Sequence, residues 1–102
     1  MKFRREDKFL ADYARLSEQE RELFRRAVRQ MNDAYEQRGD LALPHWPAHL
    51  RVRDVEGTPR AFEMTWSFAG PDGRATFELI TVDGEPAIKW RRIGDHKIFR
   101  DP

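Results

Sequence analysis

Apolar residues recur at helical spacing in the first third of the chain and at a spacing of two afterwards. Phe9, Leu10, Tyr13 and Leu16 mark a short helix over residues 6–16. Ser17 and Glu20 then form a capping box: the Ser17 hydroxyl can accept from the Glu20 N–H while the Glu20 carboxylate reaches back to the Ser17 N–H. A longer helix follows, with Leu23, Phe24, Ala27, Val28, Met31, Ala34 and Tyr35 on one stripe and Arg, Gln and Glu between them, and Gly39 terminates it. Two helices joined by so tight a junction make an antiparallel αα-hairpin, and its apolar stripe needs a surface to cover.

That surface is a sheet. The alternation predicts strands over residues 50–55, 60–68, 74–82 and 86–94, separated by Glu56-Gly57-Thr58-Pro59, by Ala69-Gly70-Pro71-Asp72-Gly73 and by Asp83-Gly84-Glu85. Consecutive strands with short turns imply an antiparallel meander. The expectation is therefore an α+β fold, one domain over residues 1–102, with two N-terminal helices packed on a four-stranded antiparallel sheet. Phe62, Met64, Trp66 and Phe68, then Ala75, Phe77 and Leu79, then Ile88 and Trp90, share the face under the helices. Arg53, Glu63, Thr65, Arg74, Thr76, Glu78, Lys89 and Arg91 fall on the opposite face, which is expected to be open and charged.

Composition narrows the class. The chain has 102 residues and 36% of them are charged, so its chemistry is expected in a shallow groove or on an open face rather than in a deep cavity. No apolar run approaches the roughly 20 residues of a membrane span. The charged start of the chain lacks the apolar stretch of a secretory signal. Cysteine is absent, which removes disulfides and thiol catalysis and fits a reducing cytoplasm. The net charge is only +1, but the segment Ile88–Pro102 holds Lys89, Arg91, Arg92, Lys97 and Arg100 against Asp95 and Asp101. A local basic stripe can hold phosphate on a nearly neutral molecule.

The residues also offer the parts of a metal-free RNA-cleaving site. Such a reaction uses the substrate's own 2′-hydroxyl as nucleophile and needs a base, an acid and cations around the phosphorus. His96, just past the last strand, can be acid or base near neutral pH; the competing reading is a surface histidine in a basic segment. Arg74 can clamp a phosphate in bidentate fashion, or simply pair with Glu63 or Glu78. Glu63 can act as general base among arginines, or serve as one half of a structural ion pair. Arg53, Arg60, Lys89, Arg91, Arg92, Lys97 and Arg100 are the candidate RNA or phosphate ligands, with Arg92 expected to point away from Lys89 and Arg91. His45 and His49 are four apart, but Pro44 and Pro47 deny them a shared helix face and no third ligand is near, so no metal site is expected. Trp46 can stack on a base or lie over the core.

The segment Trp90-Arg-Arg-Ile-Gly-Asp-His96-Lys-Ile-Phe99-Arg100 resembles the ending of the RelE/ParE superfamily of bacterial toxins, in which a strand runs into R-x-G-x-H and then an aromatic residue. Arg60 through Trp66 with Gly73 through Phe77 is similar to the paired strands of that family. Leu43-Pro44 through His49-Leu50 resembles the approach to the sheet in YafQ-like members. The resemblance covers nearly the whole chain. It implies a ribosome-dependent mRNA endoribonuclease that needs no metal or cofactor and acts in the 30S A site in the cytoplasm. It also implies a cognate antitoxin and a heterotetramer or larger complex with it. By the same resemblance His49 becomes a second catalytic imidazole beside His96, Arg74 and Glu63. Phe99 stands where many members have tyrosine and has no phenolic proton to transfer. Two other readings stay open: a ParE-like inhibitor of DNA gyrase, and a non-catalytic member that binds only RNA or an antitoxin.

Overall fold

The computed structural model describes residues 2–38, 46, 48–58, 60–67, 73–95, 98 and 102. Two helices, α1 (Asp7–Ala14) and α2 (Glu18–Arg38), lie on one face of a five-stranded sheet. Its strands are β1 (Lys2–Arg5), β2 (Arg53–Asp54), β3 (Ala61–Ser67), β4 (Gly73–Val82) and β5 (Glu85–Gly94), in the order β1-β5-β4-β3-β2. The α+β class and the helical hairpin are as expected. The sheet is larger and mixed rather than four-stranded and antiparallel: β1 runs parallel to β5, with Lys2 opposite Ala87 and Arg5 opposite Trp90. Four residues reading Lys-Phe-Arg-Arg carry no alternation to detect, and their partner lies more than eighty positions away. The other missed boundary is at β2, which is only two residues long: a 3-10 turn (Ala48–Leu50) takes the first residue of the predicted strand and Arg51, with φ of 50°, leaves the extended conformation.

The helix junction forms as its sequence dictates. The Ser17 N–H donates to Glu20 at 2.9 Å and the Glu20 N–H donates to the Ser17 hydroxyl at 3.1 Å, closing the capping box. Arg21 fastens the corner from the other side. Its Nε and Nη2 donate to the Tyr13 and Ala14 carbonyls, which α1 leaves without intrahelical partners, and its guanidinium lies 5.6 Å from the Tyr13 ring centre. Leu10 departs from the expected stripe and is 46% exposed, because adjacent helical positions lie about 100° apart and Phe9 takes the inward one.

The core lies between the helices and the sheet. Phe77 is fully buried at its centre, 5.3 Å from Trp90, 5.6 Å from Phe62 and 6.3 Å from Trp46, ring centre to ring centre. Trp46 thus lies over the core, as one of its two readings held. Phe24 from α2 meets Trp90 edge-on at 4.9 Å and Trp66 at 6.2 Å. Gly73 is required where it stands, since a Cβ there would come 2.4 Å from the Trp66 ring.

Two irregularities reset the alternation. One lies between Thr65 and Ser67 against β4, and the other between Thr76 and Phe77 against β5. At the second, Phe77 pairs with Trp90 while Thr76 pairs with Arg92, so Arg91 is the extra residue of a bulge. Beyond it the inward residue of β5 is Ile93, opposite Ala75 and 2% exposed.

Candidate functional site on the outer sheet face

The face away from the helices carries polar residues in transverse rows. Register puts Arg53 opposite Glu63, Glu63 opposite Thr76, and Thr76 opposite Arg92. Next to this row, Thr65, Arg74 and Gly94 stand side by side, and on its other flank Glu78, Lys89 and Arg4 do so. The sheet therefore brings Arg53, Glu63, Thr65, Arg74, Thr76, Glu78 and Lys89 to one face, as the alternation implied.

That face is not open over its middle. Glu63, Thr65, Arg74 and Thr76 are all buried, with Thr76 completely so. Part of the cover comes from residues beyond β5. The Asp95 carbonyl accepts from the Ile98 N–H at 3.2 Å, and Ile98 turns back over Gly94, the residue opposite Arg74. Pro102 reaches the middle of the row: its main-chain oxygen accepts from the Thr76 hydroxyl at 2.9 Å and from Arg91 Nε at 3.0 Å. Two donors from neighbouring strands thus converge on a single oxygen atom.

The cations are distributed among carboxylates. Arg53 pairs with Glu63, and Arg91 pairs through Nη1 with Glu78. Lys89 Nζ lies 3.2 Å from Glu6, ahead of α1. Arg74 donates through Nη1 to the Gly73 carbonyl at 3.4 Å. Arg92 does not point away from its neighbours as a regular strand would require, because the bulge shifts the phase and sets it opposite Thr76. Its guanidinium is nevertheless held by Asp12 of α1, with Nε at 2.6 Å and Nη2 at 3.1 Å, and the same carboxylate accepts from the Ile93 N–H at 3.2 Å. Asp12 thereby caps the edge of β5 just past the end of β1. No sequence signal marked this residue, since the contact spans eighty positions.

The remaining candidates lie apart. His49 Nε2 is 2.8 Å from the Gln30 side-chain oxygen, which holds the imidazole beside α2 on the helix-bearing side. Arg60 is exposed, with φ of 66°, and lines a separate depression of about 310 Å³ with Asp54 and Thr58. His96, Lys97 and Arg100 lie outside the described residues, as do His45 and Phe99. Among the described residues no cluster of three or more His, Asp or Glu could hold a metal ion. No described helix is long and apolar enough to cross a membrane.

No protein-family model matches the chain, and no curated protein matches its sequence. Its fold does have solved counterparts. The Methanococcus jannaschii RelB–RelE antitoxin–toxin complex aligns with a TM-score of 0.61 at 11% identity, over 96% of this chain and 95% of that one. The free E. coli toxin RelE, as an arginine-to-alanine double mutant, aligns with a TM-score of 0.60 at 12% identity, over 98% and 90%. The intact E. coli RelBE toxin–antitoxin complex gives 0.59 at 12% identity, over 92% and 94%. A helical hairpin on one side of a mixed sheet, matched over nearly the full length of each chain, gives this protein the RelE toxin fold.

Proposed function

We propose that the chain is the toxin of a toxin–antitoxin pair, a metal-independent endoribonuclease that cleaves mRNA in the ribosomal A site. The observation that carries this reading is the convergence of the Thr76 hydroxyl and Arg91 Nε on one oxygen. Two donors aimed at a single acceptor from rigid neighbouring strands suit a non-bridging phosphoryl oxygen, whose charge grows during attack by a 2′-hydroxyl. In this reading a substrate phosphate takes the place of the Pro102 main-chain oxygen. Arg74 and Arg91 bear on the phosphorane. Glu63, in the same row as Thr76, accepts the 2′-hydroxyl proton as the 2′-oxygen bonds to phosphorus. His96, two positions beyond the end of β5, returns a proton to the departing 5′-oxygen. Arg53, Lys89, Lys97 and Arg100 extend the phosphate path. Arg60, in a separate depression, and His49, held by Gln30 of α2, would meet RNA elsewhere. Structures of this fold in complex with an antitoxin support a cognate antitoxin as partner.

One observation favours a binding-only alternative. Arg53, Arg91 and Arg92 are already neutralised by Glu63, Glu78 and Asp12. A single experiment separates the readings: inducible expression of the wild type, of Thr76→Val with Arg91→Ala, and of His96→Ala with Arg74→Ala. Primer extension then maps mRNA 5′ ends while plasmid supercoiling is assayed. New 5′ ends that vanish in both variants support cleavage. Growth arrest with intact mRNA and lost supercoiling would transfer the activity to DNA gyrase, and intact mRNA with normal supercoiling would leave binding alone.

A further inference from the structure

The helix-bearing side holds a feature that RNA cleavage does not use. Between β1, α1 and α2 lies a half-open cavity of about 430 Å³, floored by Phe9, Phe24 and Trp90 and walled by Phe3 and Val28. The floor is preformed: Phe9 lies 5.7 Å from Phe24 and 6.0 Å from Trp90, and all three are at most 5% exposed. The rest of its lining is Tyr13 and three cations, Arg5, Arg25 and Arg29, with no carboxylate. Glu18 and Glu22 pair with Arg25 and Arg29 from outside, and Glu18 also meets Arg21, so the arginines outnumber the carboxylates and leave a net positive charge at the rim. Arg5 carries it, exposed at the end of β1. Arg4 next to it donates only to the Phe3 carbonyl, and among the described residues no carboxylate pairs with either arginine. Among the described residues β1 is also the end of the sheet, with β5 on one side and no strand on the other.

From this geometry we infer that the cavity is a docking groove for an acidic segment of a partner protein, seating one or two bulky apolar side chains between α1, α2 and β1 while flanking carboxylates meet Arg5 and Arg29. The inference rests on the toxin–antitoxin reading in taking that partner to be the antitoxin. A cavity of this size suits apolar anchors, and buried anchors ringed by polar contacts are what make such interfaces tight. RNA suits it less well. The floor rings are packed against one another rather than presenting open faces for bases to stack on. The groove lies on the opposite side of the sheet from Thr76 and Arg91, so a partner held here can stay bound while the outer face is empty.

The test is selection of a displayed random peptide library, about a dozen residues long, on the immobilised full chain. Enriched peptides are then synthesised and titrated against the wild type, Arg5→Glu, Val28→Glu and Arg91→Ala. The expected result is bulky apolar residues flanked by Asp or Glu, affinity lowered about tenfold by Arg5→Glu in a salt-dependent way, a further loss with Val28→Glu, and no change with Arg91→Ala. Arg5 is exposed, so its variant keeps the fold even if Val28→Glu does not. No enrichment, peptides without acidic residues, or binding indifferent to Arg5→Glu would overturn the inference. So would displacement of the peptides by an oligouridine, or Arg5-dependent binding to phosphatidylglycerol vesicles in their place. Peptide binding does not depend on mRNA cleavage, so this inference and the cleavage reading can fail separately.

Discussion

The two faces of the sheet are built from the same strands by opposite means. Toward the helices, Phe62, Phe77 and Trp90 interlock with Phe9 and Phe24, and stability comes from apolar burial and ring packing. Toward the outer side, buried residues are polar, and Glu63 and Thr76 are held by an ion pair and a hydrogen bond. Burial alone therefore does not mark the core of this protein. A buried aromatic is satisfied by shape, whereas a buried carboxylate or guanidinium must have a partner or be strongly penalised. The outer face can exchange one partner for another, such as a phosphate for a main-chain oxygen, without dismantling the fold. The inner face has no such freedom.

The largest effect that separates the faces is expected from Phe77→Ala. It empties the centre of the aromatic cluster and should cost about 3–5 kcal/mol of unfolding free energy in urea titration. A loss below about 1 kcal/mol would mean that the cluster is less interdependent than its packing indicates. Asp12→Ala comes next. It strips a mostly buried carboxylate from Arg92 and from the Ile93 N–H, and about 3 kcal/mol is expected, with amide exchange rising first along residues 91–94. Uniform loss of protection over the chain would show that Asp12 does not hold that edge locally. Arg91→Ala should cost only about 1 kcal/mol, since its pair with Glu78 is partly solvated, while new mRNA 5′ ends disappear. An Arg91→Ala protein that still cleaves mRNA would remove the outer row from the proposed mechanism.

The smallest effect belongs to the helix surface. The Glu18 carboxyl is held below the usual glutamate value of 4.5 by its hydrogen bond and charge pairing with Arg25, and Glu22 by Arg29 and then Arg25. The folded chain then binds fewer protons near that pH than the unfolded chain. The contribution is complete above pH 4.5 and is lost as pH falls through the lowered folded values. Comparing the wild type with Arg25→Ala between pH 3 and 6 should show the two curves converging at the acid end, and adding salt should narrow the gap at neutral pH.

Much of this architecture was legible because it is locally encoded. The Ser17–Glu20 capping box, the α2 stripe and the period-two runs through Phe62, Phe77 and Ile88 are each specified within a few residues. The Arg53, Glu63, Arg74 and Lys89 side of the sheet followed from the same alternation. What escaped depends on distant partners. β1 is a strand only because β5 lies beside it. Arg92 changed sides because a bulge opposite Thr76 inserts one residue, and a one-residue insertion inverts every side chain that follows. The expected open face proved covered because Ile98 and Pro102 return over β4 and β5.

The sequence by itself therefore determined two amphipathic helices, a sheet with one apolar side, and which charged residues share the other side. Those features follow from side-chain periodicity, which the backbone imposes at each residue without reference to the rest of the chain. Only the tertiary structure decided that Thr76 and Arg91 converge on one oxygen, that Asp12 rather than a phosphate holds Arg92, and that an apolar groove with an arginine rim remains between β1 and the helices. Each of these is a contact between residues far apart in the chain, so its existence depends on register, bulge and chain return.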